Sequence, residues 1–91
     1  MFSFEWDAEK AANNQRKHGV SFDEAVTVFG DPLAVTFSDT DHSENEDRSR
    51  TYGMSSKGRL LVVVHTERPG NVRIIGARKV TRYEHNIYTQ G

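Results

Sequence analysis

The sequence predicts an α+β domain, a mainly antiparallel sheet with two helices before it and one after. Three observations carry this. The runs Arg48–Ser55, Arg59–Thr66 and Asn71–Arg78 read as strands and are separated only by short joins, the spacing of a meander. Two capping-box signatures, Ser21-Phe22-Asp23-Glu24 and Thr81-Arg82-Tyr83-Glu84, stand on either side of that block. The 91 residues suit a single domain over 1–91, and five Phe, three Tyr and one Trp supply bulk for its core.

Taken in order, Phe2 to Trp6 alternates aromatic and polar residues and reads as a short strand. Asp7 is a good N-cap for a helix over Ala8–His18, and Gly19 suits the left-handed position that closes it. That helix offers only alanines on its apolar side, which implies close, shallow packing. Behind Ser21, Phe22, Ala25, Val26 and Phe29 form the stripe of a second, short helix, ended by Gly30-Asp31-Pro32. Leu33–Phe37 reads as a strand. Ser38–Asp47 contains five acids and no apolar residue, so a solvated loop is expected. Leu60–Val64 is apolar without alternation and is expected to be the central strand, covered on both faces. Pro69-Gly70 marks a type II turn, and Tyr83 and Ile87 are the expected buried pair of the last helix.

The formal charge of −1 conceals an asymmetry. Residues 1–47 hold three basic and eleven acidic side chains, a net of −8, whereas residues 48–91 hold nine and two, a net of +7. Oppositely charged halves point to a polyanionic partner for the basic one. Zero cysteine removes disulfides, thiolate metal sites and thiol nucleophiles, and fits a reducing cytoplasm, the expected location. No apolar run approaches the roughly 20 residues needed to span a bilayer. The opening Met-Phe-Ser-Phe-Glu-Trp-Asp lacks the features of a secretory signal. No phosphate-loop, dinucleotide, zinc-protease or nucleophile-elbow motif is present, nor a basic recognition helix.

The candidates for chemistry therefore lie in the basic half. Arg48 and Arg50 lie two apart on one strand and share a face. Arg73 and Arg78 bracket Arg73-Ile74-Ile75-Gly76-Ala77-Arg78, and Lys79 and Arg82 continue toward the last helix. Ideal pleating puts Arg73 and Arg78 on opposite faces, unless a bulge near Gly76 brings them together. Each arginine alone reads first as an ordinary surface charge, whereas the group suits phosphate oxygens. His65 ends the apolar run Leu60–Val64, where a half-desolvated imidazole can exchange protons or simply be satisfied in place. His18, before Gly19, reads first as a helix-end cation. His42, in the acidic run, matches no metal loop, so neither metal nor cofactor is expected.

Phe4-Glu5-Trp6-Asp7 with Lys10, then Asn14 and Lys17-His18-Gly19-Val20, resemble the opening motif of the BrnT toxins. The resemblance continues through Phe22, Phe29, Asp47-Arg48 (where the family usually has Glu-Arg) and Gly53. It ends with Arg73-Ile74-Ile75-Gly76-Ala77-Arg78, Glu84 and Tyr88. It implies a RelE-like fold and the toxin of a type II toxin–antitoxin pair: a metal-independent ribonuclease that halts translation. Such a toxin is neutralised, as a hetero-oligomer, by a BrnA-like antitoxin through which alone DNA is contacted. Gly76 departs from the family's more usual serine. Cleavage through the RNA's own 2′-hydroxyl needs a proton acceptor, a proton donor and cations on the transition state. Arg48, Arg73 and Arg78 are the expected cations and His65 the expected acid or base, with Glu84 as the other candidate. Arg50, Tyr52, Lys79 and Arg82 are expected RNA contacts, Tyr52 by stacking. Lys17 and His18 match the motif and have either a functional or a structural role. Two other readings stand beside this one: a degenerate toxin that only binds its antitoxin, and a nucleic-acid-binding domain acting alone. The acidic half is an expected docking surface for a basic antitoxin segment, unless silencing occurs over the basic face.

Overall fold

The computed structural model describes residues 3–38 and 48–90. The chain runs β1 (Ser3–Glu5), α1 (Ala8–His18), α2 (Phe22–Thr27) with a 3₁₀ turn (Val28–Gly30), β2 (Val35–Ser38), β3 (Arg48–Met54), β4 (Leu60–Arg68), β5 (Asn71–Lys79) and α3 (Arg82–Gln90). The predicted order and helix placement hold. The acidic loop and His42 fall in 39–47, outside the described residues.

The five strands lie in the order β1-β5-β4-β3-β2, with β4 central as its apolar run requires. β2 through β5 pair antiparallel. β1 pairs parallel with β5, Glu5 opposite Arg73, a partner that no local pattern announces. Between Val64 and His65 the register on β5 slips: Val64 faces Gly76 and His65 faces Ile74, so Ile75 is the extra residue of a bulge.

One face of the sheet carries α1 and α2. Val20, Phe22, Ala25 and Val28 pack there on Leu61, Val63, Val72, Ile74 and Ala77, with Phe4, Trp6 and Phe29 at the margin. Burying these side chains drives folding at roughly 25 cal/mol per Å² of apolar surface removed from water. The caps fix the helix ends. Asp7 accepts from the Glu9 and Lys10 amides, and Gly19 closes α1 at φ 69°. Ser21 caps α2, but Glu24 does not reach back to complete the box. Its carboxylate is buried instead against Arg59 and the Ser55 hydroxyl, and that guanidinium holds it below the usual carboxylate range. A side chain at Gly53 would place its Cβ 2.8 Å from Val28 Cγ1, so glycine is what lets β3 approach the 3₁₀ turn.

The other face is crossed by α3, which buries none of its residues. Tyr83 is 80% exposed, so the expected Tyr83–Ile87 buried pair is not formed. Polar contacts anchor the helix instead. The Tyr88 hydroxyl donates to Asp31 Oδ2 at 2.7 Å, and Thr81 and Glu84 close the predicted capping box reciprocally.

Candidate nucleic-acid interface

The second face of the sheet collects the arginines. Register across three strands makes rows of side chains on this face: Arg48–Thr66–Arg73, then Arg50–Val64–Gly76, then Tyr52–Val62–Arg78. Arg48 and Arg50 share the face, as alternation predicts. Arg73 and Arg78 join them because of the bulge: their β4 partners, Thr66 and Val62, are four residues apart and therefore on one face. Without Ile75 as an extra residue, one of the two would point into the helix-bearing side. Adjacent strands lie about 4.8 Å apart, so Arg48 and Arg73 flank Thr66 across a row roughly 10 Å wide.

Carboxylates orient two of these cations. Glu5 accepts from Arg73 Nη1 at 2.7 Å, and Glu84 grips Arg78 with both oxygens, at 2.7 and 2.9 Å. The Arg78 bonds hold Glu84 near a pKa of about 2, and Glu84 in turn raises Arg78. A carboxylate so acidic, with both oxygens taken, is a poor proton acceptor near neutrality and a good clamp for a guanidinium.

His65 stands elsewhere. β4 runs on to Arg68, so His65 does not lie at a strand end, and it is 1% exposed on the helix-bearing face. Phe29 packs edge-on to its ring at 5.0 Å, and Nε2 lies 2.8 Å from Thr51 Oγ1, which meets Thr36 Oγ1 at 2.7 Å. Nδ1 is buried without a partner, and burial lowers the pKa, favouring the neutral ring. The expected half-exposed imidazole is thus corrected: His65 is a core residue on the side away from the arginines.

Other expected residues are also redistributed. Tyr52 is 5% exposed, its ring edge-on to Phe37, so no open stacking surface is available on it. Phe37, in the Arg50 row and 49% exposed, is an open aromatic of the sheet on this face. Lys79 pairs with Leu61 and so falls on the opposite face, while Arg82 is exposed at the start of α3. Lys17 and His18 line a shallow groove with Lys10, Asn13, Asn14 and Ile75, along the edge of β5.

The roles of two residues, Asn14 and Thr66, are not legible in the sequence. Asn14 Oδ1 accepts from the Ala77 amide at 3.1 Å, while Nδ2 donates to the carbonyls of Ala77 and Val20 at 2.8 and 2.9 Å. One carboxamide therefore replaces a neighbouring strand where β1 has ended, next to the bulge. In the sequence Asn14 stands out only as a member of the motif shared with the BrnT toxins, which does not say what it bonds. Thr66, 3% exposed, has an Oγ1 that is buried and meets no partner. Among the described residues no cluster of His, Asp or Glu is arranged to hold a metal ion. No helix there is long and apolar enough to cross a membrane.

Comparison with known proteins agrees with this architecture. A family model described as the ribonuclease toxin BrnT of type II toxin–antitoxin systems matches residues 6–84. The crystal structure of the Brucella abortus ribonuclease toxin BrnT superposes with a TM-score of 0.68 at 18% sequence identity, covering 90% of this chain and 100% of that one. No curated protein matches by sequence.

Proposed function

Because the chain belongs to the BrnT family of ribonuclease toxins of type II toxin–antitoxin systems, we propose that its arginine face binds single-stranded RNA and cleaves it without a metal ion. The observation that carries this reading is the bulge at Ile75, which puts Arg48, Arg50, Arg73 and Arg78 on one face of the sheet. In such a reaction the RNA's 2′-hydroxyl attacks the adjacent phosphorus. Its proton leaves to an acceptor, the P–O5′ bond breaks, and the departing 5′-oxygen takes a proton, leaving a 2′,3′-cyclic phosphate. The phosphorane gains negative charge on its way to the transition state. Fixed guanidiniums that await this charge stabilise it, usually the largest single catalytic contribution. Arg48, Arg73 and Arg78 have this role. Arg50 and the exposed Phe37 extend the contact along the strand, and Glu84 positions Arg78 rather than moving protons. His65, buried on the other face, is assigned to packing.

The cellular outcome on this reading is arrested translation in the cytoplasm, relieved by a BrnA-like antitoxin that covers the toxin. A second reading, an antitoxin-binding module without cleavage, draws on Gly76. A Cβ there would sit 3.7 Å from Asn14 Oδ1, ordinary contact, so the space for the family's more usual serine exists but the hydroxyl is missing. Incubating the purified protein with total RNA in excess EDTA separates the two. Fragments with cyclic-phosphate ends support the ribonuclease, whereas intact RNA together with tight antitoxin capture supports the binding module.

A further inference from the structure

We propose that the Thr66 hydroxyl is a phosphate-binding group of the RNA site, donating its hydrogen bond to a phosphodiester oxygen held between Arg48 and Arg73. This rests on the ribonuclease reading above and adds to it a neutral residue that charge patterns do not reveal.

On the arginine face β4 presents Val62, Val64 and Thr66 in succession. Valine has the same branched shape as threonine and suits a covered strand position equally well. A buried hydroxyl with no partner, by contrast, is a standing penalty, because it has given up water and gained nothing. Thr66 Oγ1 is in that state, whereas the other buried threonine of the sheet, Thr51, is satisfied by Thr36 and His65. Position matters as much as burial. Thr66 is the middle member of the row whose ends are Arg48 and Arg73, about 4.8 Å from each neighbouring strand. Oγ1 is covered in the free chain, so the donation requires that an anion drawn between those two guanidiniums displace what covers the hydroxyl. A phosphodiester has two non-bridging oxygens and needs several donors, so a third, uncharged donor at the floor of the row completes its coordination.

The test uses the full-length protein and a fluorescein-labelled, random-sequence 12-nucleotide 2′-O-methyl RNA, which cannot supply the attacking hydroxyl. Thr66→Val keeps the shape and removes the donor. Its melting temperature is expected to equal or exceed the wild type's, since the penalty disappears, while RNA affinity falls about tenfold or more. The slope of affinity against salt is expected to stay unchanged, because no charge was removed. Thr66→Ser, which restores the hydroxyl, is expected to recover affinity to within about threefold of wild type.

Wild-type affinity in Thr66→Val overturns the proposal, as does an affinity loss that tracks a lowered melting temperature, or a serine variant that does not recover. Arg48→Gln and Arg73→Gln, measured alongside, separate the two levels. If they weaken binding and Thr66→Val does not, only the threonine assignment falls. If none of the three does, the arginine face itself is not the RNA site.

Discussion

The Arg78–Glu84 pair allows a quantitative test of how the cationic face is held. Glu84 titrates at about 2 rather than 4.5, chiefly because both its oxygens bond Arg78 and Oε1 also accepts from the Thr81 amide. Taken at face value, that difference corresponds to at most about 3 kcal/mol of stability at neutral pH. The Arg78 side chain is 35% exposed and Glu84 13%, so solvent screening reduces the expectation to about 1–2 kcal/mol. Because the folded pKa is depressed, the stabilisation is complete above about pH 4.5–5 and is lost as pH falls toward 2, with about four-tenths remaining at pH 3. Glu5, Asp7, Glu24 and Asp31 are depressed as well, so wild-type acid unfolding alone does not isolate this pair. A double-mutant cycle with Arg78→Gln and Glu84→Gln, read by urea unfolding at pH 7 and pH 3, does. A coupling below about 0.3 kcal/mol at pH 7, or one equally large at both pH values, would refute the assignment of Glu84 as the clamp on Arg78.

The clamp at the edge of β5 and the buried histidine give two further expectations. Asn14→Leu strips partners from the Ala77 amide and carbonyl and the Val20 carbonyl, and is expected to cost about 2–3 kcal/mol in urea unfolding; a loss below about 0.5 kcal/mol would mean that water replaces the carboxamide. His65→Leu removes an unpaired buried nitrogen while Thr36 and Thr51 still satisfy each other, so stability should stay within about 1 kcal/mol and RNA cleavage within a few-fold. A folded His65→Leu protein with a hundredfold loss of cleavage would return the imidazole to the chemistry.

What the sequence reveals, and what it does not, divides along physical lines. Local rules were sufficient for Asp7 and Gly19 at the ends of α1, for the Thr81–Glu84 box and for the Pro69-Gly70 turn, where Gly70 adopts φ 70°. Each is settled within a few residues. The apolar run likewise placed β4 at the centre, and alternation put Arg48 and Arg50 together. The parallel pairing of β1 with β5 and the Asn14 clamp join residues more than sixty positions apart, so no window along the chain contains them. His65 illustrates a second limit. Apolar periodicity says that a strand is covered, but not where it ends or what lies over it, and both the extension to Arg68 and the Phe29 ring decide its burial. Tyr52 is hidden from solvent for the same reason, by neighbours in space. The bulge stood between these cases: Gly76 suggested one, but only the cross-strand register identifies Ile75 as the extra residue and so unites Arg73 with Arg78.

Cleavage by a variant that lacks these cations tests most directly whether this face is the active site. The purified triple variant Arg48→Gln/Arg73→Gln/Arg78→Gln, with wild-type secondary structure by circular dichroism, is compared with the wild type on total RNA in EDTA. If fixed guanidiniums on this face stabilise the transition state, wild-type protein cuts the RNA and the triple variant is slower by at least about a hundredfold. A folded triple variant that cuts at the wild-type rate would place the active site elsewhere on the molecule.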